Sequence, residues 1–141
     1  TLDVVIDKYV TECELHNIKF EYDIKNNNLS SVDSYDIVTI LGNLLDNAIE
    51  SAENTEEKQV LFETDFRNEF SIIIVSNSCN MIPKLSDAQL PITTKKDRRL
   101  HGFGLKSVKK TVKKYNGDIA FDYNNPKKRF IVTVMIENSN T

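Results

Sequence analysis

The chain has 141 residues, 40% of them hydrophobic, which suits one domain with a buried core. No apolar run reaches the roughly 18 residues that a membrane helix needs, and we find no signal-peptide pattern. Cys13 and Cys79 lack the spacing of a zinc site or a disulfide scaffold, so we expect free thiols. We expect a single domain over residues 1–141, and the missing initiator methionine suggests a piece of a longer protein.

The net charge of −3 conceals an uneven distribution. Nine of the 18 basic residues fall between Lys95 and Lys114, whereas 16 of the 21 acidic residues lie in the first 70 positions. Such a basic segment favours a polyanionic ligand. Nucleic acid is the rival partner, but the basic segment has no interleaved aromatic side chains and the pI is about 5.4. We therefore expect no nucleic-acid binding.

The first half of the chain alternates helix and strand. A helix over residues 2–16 and a strand over residues 18–24 make up the opening segment, residues 1–28. A second helix is predicted from about residue 34 to residue 54, capped by Asp33 or a preceding serine. Its apolar stripe has the helical i, i+3, i+4, i+7 spacing. The stripe consists of Ile37, Ile40, Leu41, Leu44, Leu45, Ala48 and Ala52.

Two asparagines lie beside that stripe. Asn43 and Asn47 are four residues apart, so a helix places both side chains on one face. An amide oxygen can coordinate Mg²⁺, and the neighbouring amide can hydrogen-bond a phosphate or a metal-bound water. A half-exposed helix dotted with polar residues would give the same pattern, so the pair alone leaves both interpretations open.

A hairpin and a long irregular segment follow. Strands over residues 59–65 and 69–76 are predicted to be joined through residues 66–68. The second strand carries the apolar run FSIIIVSN and is therefore expected at the centre of the sheet. The segment over about residues 78–101 shows no periodicity. Irregular stretches of this length in compact domains are usually functional, and we predict an active-site lid.

Residues 100–115 are predicted to run from a Gly-x-Gly turn into a helix. Gly102 and Gly104 would let the backbone approach a ligand, and the free N–H groups of the following helix would face an anion. The apolar stripe of this helix is Leu105, Val108, Val112 and Tyr115. Three of its lysines are interpreted as a solvated face: Lys109, Lys113 and Lys114.

The last third of the chain completes the sheet. Gly117 is expected to stop the lysine-rich helix, and strands over residues 118–123 and 129–136 follow, joined by a turn at residues 124–126. Hairpins joined by helices, without regular βαβ alternation, indicate an α+β fold. We predict a two-layer α/β sandwich in which a mixed, mostly antiparallel sheet of about five strands packs on three helices.

These motifs resemble a known family. NLLDN in a helix, an apolar strand ending in polar residues, a long loop with TTK and a GFGL segment opening a helix occur in this order. The order is similar to that of the ATP-binding (Bergerat) domain of histidine kinases in the GHKL superfamily, which also holds DNA gyrase. Within it, the chain most resembles sensor kinases of the accessory gene regulator (Agr) type. The resemblance covers roughly residues 30–136.

The resemblance implies a role for each matching residue. Asn47 matches the asparagine that ligates Mg²⁺, and Asn43 matches a position that contacts phosphate or metal-bound water, so both would be catalytic. Gyrase-like ATPases carry a glutamate base at the place of Asn43. An amide cannot take up a proton at neutral pH, so we expect phosphoryl transfer to a histidine and not steady hydrolysis.

The implied ATP contacts extend from the second helix to the lid and its hinge. Thr93, Thr94 and Lys95 match the Thr-Lys element of the lid. The candidate cations for the triphosphate are Lys95, Lys96, Arg98 and Arg99. The implied ATP-contacting residues are Asn43, Asn47, Asn77, Thr94, Lys95, Arg98, Gly102, Phe103, Gly104 and Leu105.

One departure from the family concerns the adenine contact. The family usually reads Asp-x-Gly-x-Gly where this chain reads NSCN from Asn77, so both glycines are missing. Asn77 would accept the adenine amino group through its amide oxygen, which is a weaker acceptor than a carboxylate. We therefore predict weak ATP binding. A turn residue that ends a strand is the alternative role for Asn77.

The resemblance predicts the catalytic domain of a two-component sensor histidine kinase, with ATP and Mg²⁺ as cofactors. The phosphoacceptor histidine would lie on a separate dimerisation region, with a response regulator as indirect partner and a membrane contacted only through upstream segments. The domain would be cytoplasmic. His16 is interpreted as a surface residue, and His101 as a possible phosphate contact. A GHKL scaffold that no longer handles ATP and an anti-sigma-factor serine kinase are the alternatives.

Overall fold

The computed structural model describes residues 2–25, 29–82 and 98–138, and for residues 98–103 it gives the path of the backbone. Helices and strands alternate in this part of the chain and form two layers. In chain order the elements are α1 (Leu2–Leu15), β1 (Lys19–Ile24), α2 (Ser34–Glu53), β2 (Gln59–Arg67), β3 (Phe70–Ser78), α3 (Arg98–Lys113), β4 (Asp118–Asn124) and β5 (Arg129–Glu137).

The strands form one mixed sheet in the order β1-β2-β3-β5-β4. The edge strand β1 pairs in parallel with β2, and the three other pairings are antiparallel. The apolar strand β3 lies at the centre, as its near-continuous hydrophobic run predicts. The predicted α+β sandwich of five strands and three helices is confirmed for the described residues.

Alternation along each strand decides which side chains face the helices. In β3, Ile73 and Val75 are buried, whereas Ile72 and Ile74 between them are only half-buried. The same period of two marks the neighbouring strands, because successive side chains point to opposite faces of a sheet. The buried apolar strand residues on the helix side are Val60, Phe62, Ile73, Val75, Val132, Val134 and Ile136.

Helix α2 is the centre of the helical layer. Its cap is Asp33, whose side chain accepts a hydrogen bond from the backbone N–H of Tyr35 at 3.2 Å, which satisfies one of the open donors of the first turn. All seven residues of the predicted apolar stripe are buried, and Ile49 joins them. None of the helices in the described residues combines the length and apolar character of a membrane span.

Helix α3 runs antiparallel to α2 and is tied to it at its carboxyl end. The Tyr115 hydroxyl donates to Asp36 Oδ2, and Lys114 Nζ lies 3.0 Å from the same oxygen. Hydrogen bonds from Tyr115 and Lys114 hold the pKa of the Asp36 carboxyl below its ordinary value. Lys114 is exposed, as its interpretation as part of a solvated face predicts, but it also pairs with the Asp36 carboxylate, whose side chain is only 9% exposed.

Three predicted details of the backbone also need correction. The turn of the β2–β3 hairpin consists of Asn68 and Glu69, both at positive φ, and not of residues 66–68 as predicted. β2 therefore continues to Arg67, two residues beyond its predicted end. Asn116, at φ 53°, adopts the left-handed conformation after α3, and not Gly117. Gly117 is required for space instead, because a β-carbon there would lie 2.2 Å from the carbonyl oxygen of Met135.

The third correction concerns the Gly-x-Gly segment. Helix α3 begins at Arg98, so Gly102 and Gly104 lie inside helical backbone and do not form a turn that opens the helix. Residues 98–101, assigned to the irregular lid, belong to this helix as well. Glycine costs a helix interior about 1 kcal/mol relative to alanine, a penalty that a helix of this length tolerates.

Candidate functional site

Asn43 is held in one orientation on α2. Its amide nitrogen donates to the backbone carbonyl of Thr39, one turn earlier, at 2.8 Å. The side chain is half-buried. Because the nitrogen is turned back toward its own helix, the amide oxygen Oδ1 is the atom that projects toward α3.

Gly104 of α3 lies directly against that oxygen. A β-carbon built on Gly104 would be 2.8 Å from Oδ1 and 3.2 Å from Cγ of Asn43, closer than side chains tolerate. Gly104 is buried and has no positive φ, so this position needs a glycine for close approach and not for an unusual backbone conformation. The predicted asparagine helix and the predicted glycine segment are thus in contact.

Asn47 lies one turn further along α2, on the same face as Asn43 and half-buried like it. Ala48 and Leu44 beside it are buried in the core. The helix therefore presents two amides at the boundary between its packed stripe and α3, as the spacing predicts.

Asn77 lies near the end of β3, on the helix side of the sheet. It is 3% exposed, and its amide nitrogen donates to the carbonyl oxygen of Ser78 at 2.9 Å. This bond uses the amide nitrogen, which is the donor. The amide oxygen is the atom that could accept a hydrogen bond from a ligand. Asn77 is a buried strand residue, so its interpretation as a turn residue is wrong.

A buried pair of hydroxyls joins the end of β3 to the end of α2. Ser78 Oγ lies 2.8 Å from Thr55 Oγ1, and it accepts from the backbone N–H of Gln59 at 3.0 Å. Thr55 lies two residues beyond the end of α2 and also donates to the carbonyl oxygen of Ala52 at 2.7 Å. These bonds fix the strand that carries Asn77 against the helix that carries both asparagines.

The opposite ends of the same elements meet as well. Ser71 at the start of β3 and Ser31 ahead of α2 both donate to Asn138 Oδ1, at 2.8 and 3.4 Å. Helix α2 therefore runs along β3 in the same direction, and α3, antiparallel to it, points its amino-terminal half toward Asn47 and the Asn77 end of the sheet. All three predicted motifs therefore lie on the helical side of the sandwich.

Comparison with known proteins decides the family. A family model described as "GHKL domain" matches residues 32–137, three quarters of the chain. The chain belongs to the GHKL family. The matched range contains all three motifs, from the α2 asparagines through Asn77 to Gly104. No curated protein matches the GHKL chain in sequence.

Solved structures place the GHKL chain in the fold of histidine kinase catalytic domains. The catalytic domain of histidine kinase ThkA superposes with a TM-score of 0.75 at 22% identity, covering 97% of this chain and 93% of that one. The histidine kinase AdeS of Acinetobacter baumannii gives 0.67 at 20%, covering 99% of this chain and 66% of its own. A mycobacterial sensor histidine kinase, MprB, gives 0.67 at 17%, with 96% and 93% coverage.

Aromatic residues of β4 and β5 lie beside Asn77 and were not predicted from the sequence as site residues. Phe130 of β5 is directly opposite Asn77, so both side chains face the helices, and its ring stacks on Phe121 at 6.1 Å with 6° between the planes. The hydroxyl of Tyr123 donates to the carbonyl oxygen of Cys79 at 2.8 Å. The alternation of side chains along β4 and β5 indicates that Phe121 and Phe130 point to one face of the sheet. The position of these rings beside Asn77 depends on how the strands pair, which the sequence pattern does not give.

The two cysteines and His16 conform to their predictions. Burial raises the pKa of the Cys13 thiol to about 11 and also raises that of Cys79, so both remain protonated at neutral pH. Both are free thiols. His16 is a surface residue whose ring nitrogens lie 3.3 Å from Glu53 and 3.7 Å from Glu12.

Several predicted ligand contacts lie outside the described side chains. Thr93, Thr94, Lys95 and Lys96 fall in the gap before α3. Backbone alone is described for the next group: Arg98, Arg99, His101, Gly102 and Phe103. Leu105, the apolar residue after the glycines, is buried in the core beneath α3. The predicted triphosphate cations therefore stay predictions.

Proposed function

We propose that this chain is the ATP-binding catalytic domain of a two-component sensor histidine kinase, which donates the γ-phosphate of ATP to a histidine on a separate dimerisation domain. The observation that carries the proposal is the contact between Asn43 and Gly104, on the same side of the sheet as the buried Asn77. Membership of the GHKL family and structural neighbours named as histidine kinases support it.

The donor chemistry of α2 fits a magnesium ion shared with a triphosphate. Mg²⁺ takes oxygen ligands, keeps several waters and is usually bound by one or two protein groups plus substrate phosphates. Asn47 would supply the amide oxygen. Asn43, whose nitrogen is held by Thr39, would direct its own oxygen at a metal-bound water. Bound Mg²⁺ would neutralise charge on the phosphates.

The base of the nucleotide would lie at the Asn77 end. The oriented amide of Asn77 offers an acceptor to an exocyclic amino group, which adenine has at C6. Phe130, half-buried beside it, supplies an apolar surface for a purine ring. This division leaves the α2 asparagines and the start of α3 for the phosphates.

The groups around Asn43 favour transfer of the phosphoryl group over hydrolysis. A neutral amide cannot act as a general base for water. Asp46, the neighbouring carboxylate on α2, is turned to α1, where it accepts a hydrogen bond from Tyr9. Positioning and charge stabilisation are what phosphoryl transfer requires of a protein.

The partners follow from this chemistry. The acceptor histidine would belong to the dimerisation region of the same parent protein, and a response regulator would receive the phosphoryl group from it. We place the domain on the cytoplasmic side of a membrane-bound bacterial sensor. Assignment to the Agr type rests on the NSCN segment that replaces Asp-x-Gly-x-Gly.

A second candidate function is a GHKL scaffold that docks partners without handling ATP. The segment from Asn77 to Asn80 favours it, because a neutral amide stands in place of the family's carboxylate and the two hinge glycines are absent. An anti-sigma-factor-like serine kinase would use the same nucleotide site, but its acceptor would be a serine on another protein.

Calorimetric titration of the domain with a non-hydrolysable ATP analogue separates these functions. We expect saturable heat in the presence of Mg²⁺, with weaker binding when EDTA replaces the metal, because the phosphates then lose their shared cation. Absence of heat at millimolar nucleotide, with the domain shown to be folded by circular dichroism, would support the scaffold and contradict the kinase.

Asn77→Asp restores the family's usual residue, yet we expect it to weaken binding of the ATP analogue. The added oxygen would replace a donor 2.9 Å from the Ser78 carbonyl, so two acceptors would face each other in a site that is 3% exposed. A loss of about tenfold, measured by the same titration, corresponds to ~1.4 kcal/mol. Tighter binding by this variant would refute the proposed orientation of the amide.

A further inference from the structure

A buried tyrosine on α1 contacts the stretch of α2 that carries both asparagines, on a face next to the one that meets Gly104. Tyr9 is 2% exposed, and its hydroxyl lies 2.8 Å from Asp46 Oδ1 and 3.3 Å from the carbonyl oxygen of Gly42. Gly42 and Asp46 immediately precede Asn43 and Asn47 in sequence. The same hydroxyl therefore holds the two residues next to the two candidate ligands.

The hydroxyl is suited to act as a permanent donor. Burial and the nearby Asp46 carboxylate raise the pKa of Tyr9 above its ordinary value, so the proton stays on the phenol. A β-carbon on Gly42 would lie 3.6 Å from the hydroxyl, an ordinary contact, so the approach of the ring does not depend on the glycine. The bond to Asp46 is charge-assisted.

The geometry of a helix explains why this contact matters for the asparagines. Successive residues are rotated by about 100° around the axis, so the face that meets Tyr9 adjoins the face that meets Gly104. Apolar packing is non-directional and allows small rotations of α2. The end of a side chain lies roughly 6 Å from the helix axis, so a rotation of about 10° would move it by ~1 Å. A displacement of that size can lower the catalytic rate of a site about a hundredfold.

We propose that Tyr9 is a positioning residue, which fixes the rotation of α2 about its axis and thereby the placement of Asn47 toward Mg²⁺ and of Asn43 toward a metal-bound water. The inference rests on the proposed function. Through Tyr9, a movement of α1 along α2 would reach both asparagines, so the position of α1 would set the affinity for the Mg-nucleotide.

Tyr9→Phe tests this inference because it keeps the ring and removes only the hydroxyl. We expect the affinity for the ATP analogue in Mg²⁺ to fall about two- to tenfold, the range for loss of one hydrogen bond, and the affinity in EDTA to stay unchanged. Asp46→Ala is expected to give the same loss and Asp46→Asn, which keeps an acceptor oxygen, to restore wild-type affinity. The double variant of Tyr9→Phe and Asp46→Ala should lose no more than either single variant.

A measurement without nucleotide accompanies the titration. In the ligand-free domain, Tyr9→Phe should shift the side-chain amide signals of Asn43 and Asn47 in ¹⁵N NMR spectra. Tyr22→Phe is the matched control, because Tyr22 is 51% exposed on the edge strand β1 and undergoes the same chemical change. It should leave both amide signals and the affinity unaltered.

Three results distinguish failure of this inference from failure of the proposed function on which it rests. Equal loss of affinity in Mg²⁺ and in EDTA would assign Tyr9 a merely structural role and overturn the inference. Unchanged affinity together with unshifted amide signals would overturn it as well, while leaving the proposed function intact. If the wild-type domain binds no nucleotide, the proposed function fails and the inference fails with it.

Discussion

Gly104→Ala is expected to weaken nucleotide binding at least tenfold while leaving the domain folded. The new β-carbon would lie 2.8 Å from Asn43 Oδ1, so the amide must rotate away and give up its bond to the Thr39 carbonyl. Losing that bond costs about 0.5–1.5 kcal/mol, and replacing a helical glycine by alanine gains about 0.5–1 kcal/mol. The free energy of unfolding should thus change little, whereas Asn43 no longer points at the ligand.

Calorimetry with the ATP analogue and Mg²⁺, together with urea denaturation, checks both halves of this prediction. We expect at least a tenfold loss of affinity, or ~1.4 kcal/mol. Gly42→Ala is the matched control on α2, since its β-carbon would meet only the Tyr9 hydroxyl at 3.6 Å. It should keep nucleotide binding and gain about 0.5–1 kcal/mol of stability. Normal binding by Gly104→Ala would show that Asn43 does not serve the ligand.

Asn47→Ala is expected to remove the part of nucleotide affinity that depends on magnesium. If Asn47 supplies a metal ligand, the variant should bind the ATP analogue in Mg²⁺ about 10- to 100-fold more weakly, because an interaction with a charged group worth ~1.5–3 kcal/mol is lost. In EDTA the variant and the wild-type domain should bind alike, since no metal is present to be held.

The control for Asn47→Ala is the same change at Asn54, at the carboxyl end of α2. Asn54 is exposed, and its amide nitrogen donates to the carbonyl oxygen of Glu50 at 3.3 Å. Asn54→Ala should lower the thermal stability slightly and leave the ratio of affinities in Mg²⁺ and EDTA unchanged. An Asn47→Ala variant with the wild-type ratio would refute the metal role of Asn47.

Hydrophobic periodicity predicted most of the fold because burial follows it closely. The seven stripe residues of α2 are buried, and the apolar run of β3 occupies the centre of the sheet. The boundaries of the β2–β3 hairpin were less predictable. The turn residues Asn68 and Glu69 are defined by their positive φ values, and the pattern of hydrophobic residues does not reveal a φ value.

The site was predicted in its parts and not in its contacts. The spacing of Asn43 and Asn47 specified one helix face, but contact with Gly104 joins residues about 60 positions apart and depends on how α3 packs on α2. The pairing of Lys114 with Asp36 was not predicted for the same reason: the helical pattern indicated an exposed lysine, but it could not identify a partner 78 positions away. The prediction of a turn at the Gly-x-Gly segment was wrong. Residue 104 must be a glycine because α3 packs closely on Asn43, and not because the backbone turns there.

Replacement of Mg²⁺ by paramagnetic Mn²⁺ locates the metal directly. In a ¹⁵N-labelled domain bound to the ATP analogue, we predict the greatest loss of NMR signal at Asn43, Asn47 and Gly104. The least loss should occur at the β2–β3 turn around Asn68. This turn adjoins Phe70, which is eight strand steps, or ~27 Å, from Ser78 at the other end of β3. Signal loss centred on that turn, or spread evenly over the sheet, would contradict a magnesium–nucleotide site between α2 and α3.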